Sequence, residues 1–505
     1  MVAATAESSN GLLCFTNCLL PQEDGSLVEK DLWIDEHRGV ILDAQRTFYL
    51  RKQRPHRIVD LGGNILSPGF IDIQINGGFG FDFSVYEGDQ QYRDGLKRVA
   101  EKIVETGVTA VVPTIITQEK SLYAKILRLL RPWSPPNAAH LLGWHAEGPF
   151  LHMTKRGAHS PPLIIPASEG YKTFEAIYQP ENLTDTEDWL MRDDAGQDTV
   201  GARIITAAPE IEGVMEAIPE VSKRGICFNI GHSICSTDTA TAAVQNGARC
   251  ITHLFNAMPQ LHHRDPSIIG LLGSSPYVAA ELANLPCFTS KTKPKTGSCT
   301  PTKAVFPGLY ASEAFDDIRT PPQTPKRREY HSLGRRNLSE VISSPSTIER
   351  MPFSPFERPF YELIVDGVHS HPNSVRLAYS AHPEGCILIT DAMKILDPHL
   401  KDGTYEWRDG RRFYKDGDRL YLEGTTTLAG SVVTMDKCVR NFSRFTGCSL
   451  GEAVKCATLN PAKCLGIEDK KGSLRAGAHA DLVVLDRHGE VLSTWVMGKM
   501  VWERN

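Results

Sequence analysis

The sequence has no run of about 18 consecutive apolar residues, the length a membrane-crossing helix needs. Its opening residues lack a basic segment followed by an unbroken apolar stretch, so no signal peptide is expected. Neither sign of charge dominates: 55 Lys+Arg against 60 Asp+Glu leave a net charge of −5. That balance gives no general electrostatic case for nucleic acid or a membrane as partner. The 12 cysteines lack the paired spacing of a metal-binding framework, and Cys227, Cys250 and Cys386 fall inside apolar runs. Buried, reduced thiols and a cytoplasmic setting are the expectation.

What is present is a chain of two styles. At 505 residues it could hold about two to four average domains, although α/β barrels often exceed the average size. Short apolar runs broken by Gly, Asp and Pro occupy Leu12–Phe15, Asp31–Asp35, Gly39–Leu42 and Arg57–Leu61. The same style returns at Ala480–Leu485 and Glu490–Val496. Neither end has enough core to stand alone, so residues 9–67 and 469–505 are expected to pair into one small β-sandwich without helices.

Between them a strand–loop–helix pattern repeats. Strand-like runs lie at Phe70–Ile75, Thr109–Pro113, His140–Trp144, Arg203–Ala207, Cys227–Ile230, Arg249–Ile251, Tyr361–Val365 and Cys386–Ile389. Helix-like stretches at Gln91–Thr106, Leu122–Leu130, Ile211–Lys223, Thr237–Gly247 and Asn373–Ala381 separate most of them. Eight alternating units predict a (β/α)8 barrel over 68–285 and 358–468, with its site at the C-terminal ends of the strands. Residues 286–357, rich in Ser, Thr, Pro, Lys and Arg, cannot bury enough apolar surface to offset their ordering entropy. They read as a disordered insertion, and as a solvated spacer in preference to a phosphorylation or nuclear-import signal.

Chemistry-bearing residues gather after these strands. Glu147 in Trp144-His145-Ala146-Glu147-Gly148-Pro149-Phe150 offers a carboxylate, and Gly231-His232-Ser233 and Thr252-His253-Leu254-Phe255-Asn256 each offer an imidazole. One carboxylate and two imidazoles suit a single divalent ion of the zinc class with an open coordination position. Asp391, in Thr390-Asp391-Ala392, adds a carboxylate placed to act as base. On the first barrel strand a period of two puts Asp72, Gln74 and Asn76 on one face.

Pro68-Gly69-Phe70-Ile71-Asp72 resembles the opening of the amidohydrolase superfamily, whose members usually continue into a His-X-His metal pair. Here Gln74-Ile75-Asn76 stands in that place, and neutral amides are poor ligands for a borderline metal. That replacement resembles the N-acetylglucosamine-6-phosphate deacetylases. Further matching motifs follow in order: Ala208-Pro209-Glu210, Asp366-Gly367-Val368-His369 and Leu428-Ala429-Gly430-Ser431 join those already named. The resemblance implies Glu147, His232 and His253 as ligands of one metal ion per subunit, zinc first, with iron, cobalt or manganese as alternatives. It implies Asp391 as general base and acid, and His159 as the group that polarises the acetamide carbonyl. Asn256, the Ala257 backbone and His369 are implied as substrate contacts, and Arg264 as a phosphate-binding residue supplied by the neighbouring subunit of a homodimer. The implied reaction turns N-acetylglucosamine 6-phosphate into glucosamine 6-phosphate and acetate, a step of amino-sugar catabolism.

By residue type alone, His159 and His369 would be ordinary loop histidines and Arg264 a solvated charge. His145, His152, His262 and His263 have no assignable role, and Cys235 reads as a packed thiol. Two rivals stand beside the deacetylase reading. One is an amidohydrolase for another N-acyl compound or a cyclic amide, which a full His-X-His and a bridging lysine would favour. The other is a non-catalytic scaffold that binds a sugar phosphate, which loss of a ligand or of Asp391 would favour.

Overall fold

In the computed structural model, residues 8–184, 201–275, 356–407, 410–425 and 428–504 are described. The expected insertion lies outside them except for its last two residues, of which Phe356 is buried in the barrel core. The eight barrel strands, in chain order, are Phe70–Ile75, Val108–Ile116, Trp144–Glu147, Ala202–Ala207, Cys227–Ile230, Ala248–Ile251, Phe360–Ile364 and Cys386–Ile389. Each pairs in parallel with the next in sequence, giving the barrel that the alternating pattern predicts. The third strand comes in two pieces, since His140–Leu141 pairs separately with the second strand. The strands are almost wholly buried, walled in by helices on the outside, which is why they read as unbroken apolar runs.

The helices sit where the period of the apolar residues places them: Asp89–Lys102, Lys120–Leu127, Val214–Lys223, Thr237–Gln245 and Pro372–Ala381. Ser236 starts one of them by accepting a hydrogen bond from the Thr239 amide. After the eighth strand three further helices, Met435–Thr446, Leu450–Ala457 and Leu459–Leu465, complete the outer wall.

Strands from both chain ends build two sheets. One contains Leu12–Thr16, Leu32–Asp35, Val40–Leu42 and Arg57–Asp60. The other joins Leu19–Pro21, Leu27–Glu29 and Ile65–Pro68 to Leu482–Leu485, Val491–Val496 and Lys499–Glu503. Leu13, Phe15 and Ile34 of the first pack with Leu20, Leu66, Val484 and Trp495 of the second in one apolar core. The sandwich departs from expectation in holding one short helix, Ala44–Tyr49, where Asp43 caps the Arg46 amide. A second departure is a three-stranded meander, Gly403–Glu406, Arg412–Asp416 and Arg419–Leu422, with its own core around Trp407 and Phe413. Its strands are short and largely polar, so apolar periodicity gives no sign of them. None of the described helices is long and apolar enough to cross a membrane.

Candidate metal centre and active site

The third strand ends on Glu147, and His232, His253 and Asp391 each follow within two residues of the fifth, sixth and eighth strands. The latter three adopt left-handed backbone, with φ of 50°, 28° and 46°. Such conformations are costly for residues with a Cβ and persist where the surroundings over-determine them. Gly231 makes one of these turns possible: a Cβ there would lie 2.7 Å from Thr206 Cγ2 and 2.8 Å from Thr252 Cβ.

These turns bring three donor atoms together. Glu147 Oε1 lies 2.8 Å from His232 Nε2 and 3.1 Å from His253 Nε2, and the two nitrogens are 3.0 Å apart. His232 Nδ1 is 2.7 Å from the Lys155 carbonyl, which can only accept, so the neutral ring carries its proton there. Its Nε2 lone pair then faces the carboxylate oxygen. Three electron-rich atoms in a triangle of about 3 Å edges repel one another unless a cation sits among them, and the edges suit a four-coordinate ion with bonds of about 2.0–2.1 Å. Without one, the site draws in protons. Burial lowers the His253 pKa, but the Glu147 carboxylate overrides it and pushes it up to about 9. Burial raises the Glu147 carboxyl, but a proton presented at Nε2 of His232 or His253 in place of the ion hydrogen-bonds to it and holds it well below the usual range. The donor set therefore fits a divalent metal.

His159 stands beside this triangle with a different part. The Thr117 amide donates to its Nδ1 at 3.3 Å, so that nitrogen is an acceptor and the neutral ring carries its proton on Nε2. Nε2 lies 3.9 Å from Glu147 Oε2. It is thus presented as a hydrogen-bond donor, although its position would also allow a fourth ligand.

The amides of the first strand turn toward Asp391. Asn76 Nδ2 donates to Asp391 Oδ1 at 2.7 Å, and Gln74 Nε2 bridges Glu147 Oε1 at 3.3 Å and Asp391 Oδ1 at 3.4 Å. Burial, then the Glu147 charge, pushes the Asp391 carboxyl up to about 6. His369 lies near enough for its charge to oppose that rise, and its Nδ1 is held 2.6 Å from Asp366 Oδ2. Asn256, Ala257 and Arg264 follow the sixth strand without joining this network. Asn256 Nδ2 donates to the Leu254 carbonyl, the Ala257 carbonyl accepts from the Ser233 amide, and Arg264 is exposed. Among the described residues no carboxylate pairs with the Arg264 guanidinium. His145 is a satisfied core histidine, 2.7 Å from Thr206 Oγ1 and pushed down to about 4 by burial. Cys235 is a packed thiol, raised to about 12 by burial.

Two buried carboxylates at the site were not singled out from the sequence as functional. Glu362 accepts from Asn229 Nδ2 at 2.9 Å and from the His253 amide at 3.3 Å, and burial pushes its carboxyl up to about 8. Asp72 accepts from Thr390 Oγ1 at 2.5 Å, and burial pushes it up to about 7. The available signal was a lone acid within an apolar strand, Phe-Tyr-Glu-Leu-Ile and Phe-Ile-Asp-Ile.

The sequence pattern of the Amidohydrolase family matches residues 346–501. The N-acetylglucosamine-6-phosphate deacetylase of Bos taurus is 35% identical over 490 residues, covering 97% of this chain and 95% of its own. The enzyme of the same name from Homo sapiens is 35% identical over 493 residues, covering 97% of this chain and 96% of its own. The crystal structure of N-acetylglucosamine-6-phosphate deacetylase from Thermotoga maritima superimposes with a TM-score of 0.64 at 24% identity, covering 97% of this chain and 100% of that one. This last likeness is one of fold.

Proposed function

The chain belongs to the N-acetylglucosamine-6-phosphate deacetylase family of the amidohydrolases, and from that membership we propose that its active site hydrolyses the acetamide of N-acetylglucosamine 6-phosphate. The products are glucosamine 6-phosphate and acetate. The observation that carries the reading is the Asp391 carboxylate, fixed by Asn76 at 2.7 Å beside the Glu147–His232–His253 triangle. Those three residues would hold one divalent ion, zinc in our reading, which when bound supplies Lewis acidity toward the carbonyl and water. Asp391 takes the proton of the attacking water and returns it to the departing amine, because an amide nitrogen is too basic to leave as an anion. His159 donates its Nε2 proton in a hydrogen bond to the carbonyl oxygen as charge builds there. Asn256, the Ala257 backbone and His369 contact the substrate.

Arg264 is exposed, and a guanidinium suits a phosphate dianion. It is assigned to the phosphate in the neighbouring site of a homodimer. Mixed dimers of Arg264→Ala and Asp391→Asn chains should recover about a quarter of wild-type activity, and no recovery would place Arg264 elsewhere. The division into a sandwich of 9–67 with 469–505, a barrel of 68–285 with 358–468 and a spacer between them is part of the same proposal. So is a cytoplasmic setting, supported by the free and mostly buried cysteines of the described residues. Acetate release tests the reaction. N-acetylglucosamine 6-phosphate should be turned over and unphosphorylated N-acetylglucosamine hardly at all; equal turnover of the two would refute phosphate recognition, and none of either the reaction.

A further inference from the structure

Seven of the eight junctions between neighbouring barrel strands are parallel ladders. The eighth, between Cys386–Ile389 and Phe70–Ile75, has no ladder among the described residues. It is closed in another way. At its upper end the Asp391 amide donates to the Gln74 carbonyl at 2.9 Å and the Asn76 amide to the Ala392 carbonyl at 2.8 Å. Just below, the Asp72 side chain takes the place of the missing ladder. Asp72 Oδ2 accepts the Thr390 hydroxyl at 2.5 Å, and Oδ1 accepts the Thr390 and Gln74 amides, each at 3.3 Å. The Thr390 hydroxyl oxygen in turn accepts the Ala392 amide at 3.3 Å. Asp391 is therefore bracketed by bonds that converge on one hydroxyl, while its own backbone is held at φ 46°. Both Asp72 and Thr390 are fully buried, so water does not compete for these bonds.

We propose that the Asp72–Thr390 pair is a positioning device for the base: it clasps the barrel seam so that the left-handed turn at Asp391 aims its carboxylate into the site. A carboxyl acceptor suits the task because its two oxygens take the Thr390 hydroxyl, the Thr390 amide and the Gln74 amide together. The left-handed turn is the kind of local strain that relaxes once its restraints are cut. The inference rests on the role proposed above for Asp391.

Its test is the division of effect between kcat and KM in the full-length, metal-loaded protein with N-acetylglucosamine 6-phosphate. Thr390→Val keeps the shape and removes the hydroxyl. It should lower kcat about 10- to 100-fold, the scale on which small misplacements of catalytic groups act. KM should stay within about threefold, with metal content and thermal midpoint near those of wild type. Thr390→Ser, which keeps the hydroxyl, should restore kcat to within about threefold of wild type. Should Thr390→Val not fold, Asp72→Asn is judged on the same division. A kcat within about twofold of wild type overturns the inference, as does a loss that comes only with lost metal or lowered stability, or a serine variant as impaired as the valine. Wild-type protein that releases no acetate defeats the assignment of the reaction, and this inference with it; an active wild type with an unaffected valine variant defeats this inference alone.

Discussion

Two groups of histidine and carboxylate side chains, buried except for the half-buried His479, lie at opposite ends of the barrel. At the C-terminal ends of the strands are Glu147, His232 and His253; at the other end, where the barrel meets the terminal sandwich, are His140, His479 and Asp481. By residue type they are alike. They differ in what sits between them. At the lower end the Lys471 ammonium lies 2.5 Å from Asp481 Oδ2 and 2.9 Å from His140 Nδ1. That group carries its own cation, and its titration follows. Burial raises the Asp481 carboxyl, but the Lys471 charge holds it far below the usual range, and burial together with that charge pushes His140 down to about 3. Among the described residues the upper triangle has no such ammonium, and His253 is pushed up to about 9 instead. The lower cluster contains its own counter-charge, whereas the upper one presents a donor set that a divalent ion would complete.

The largest effect should come from the upper end. Asp391→Asn keeps the shape and the ligands but cannot take a proton, so kcat should fall by about 10²- to 10⁴-fold while substrate still binds. Near-normal turnover in steady-state kinetics would remove Asp391 from the mechanism. At the lower end, Lys471→Met strands a buried carboxylate without its counter-charge. Breaking such a pair costs about 3–5 kcal/mol, to be seen as a lowered denaturation midpoint, whereas kcat of the folded fraction should change little. If that substitution instead abolished activity in fully folded protein, the separation of the two ends would fail.

A smaller effect concerns acid stability. His140 is neutral in the folded chain down to about pH 3, whereas its unfolded counterpart takes up a proton below about 6.5. Between those values the unfolded state binds more protons, so stability contributed by this residue falls as pH drops through the window. Denaturant titrations of wild type and His140→Gln should therefore converge toward pH 4, and parallel curves would contradict the shift. The smallest effect is expected from replacing 287–354 by a short Gly-Ser linker while keeping the buried Phe356. The value of kcat/KM should stay within a few-fold, and a folded but inactive deletion protein would show that the segment serves the site.

Much of this was legible in the sequence, for physical reasons that differ by residue. The barrel strands announce themselves because both of their faces are covered, and Cys227–Ile230 has the observed bounds. Glu147, His232, His253 and Asp391 stand out because they end apolar runs. Asp72 does not, since its partner Thr390 lies 318 residues away and only barrel closure brings them together. The Lys471–Asp481 pair is hidden in the same way, its histidine neighbour His140 being 331 residues from Lys471. The short helix Ala44–Tyr49 and the polar meander from Gly403 to Leu422 carry too little periodicity to be seen. Arg264 is a further case, because an exposed arginine looks the same whether it faces solvent or a second subunit.

The contrast between the two ends is tested most directly by elemental analysis of wild type, Glu147→Gln and His140→Gln after exhaustive dialysis. About one divalent ion per chain is predicted for wild type and for His140→Gln, and none for Glu147→Gln. Two tightly held ions per wild-type chain, both needed for turnover, would contradict the account, as would one ion that survives Glu147→Gln and is lost with His140→Gln.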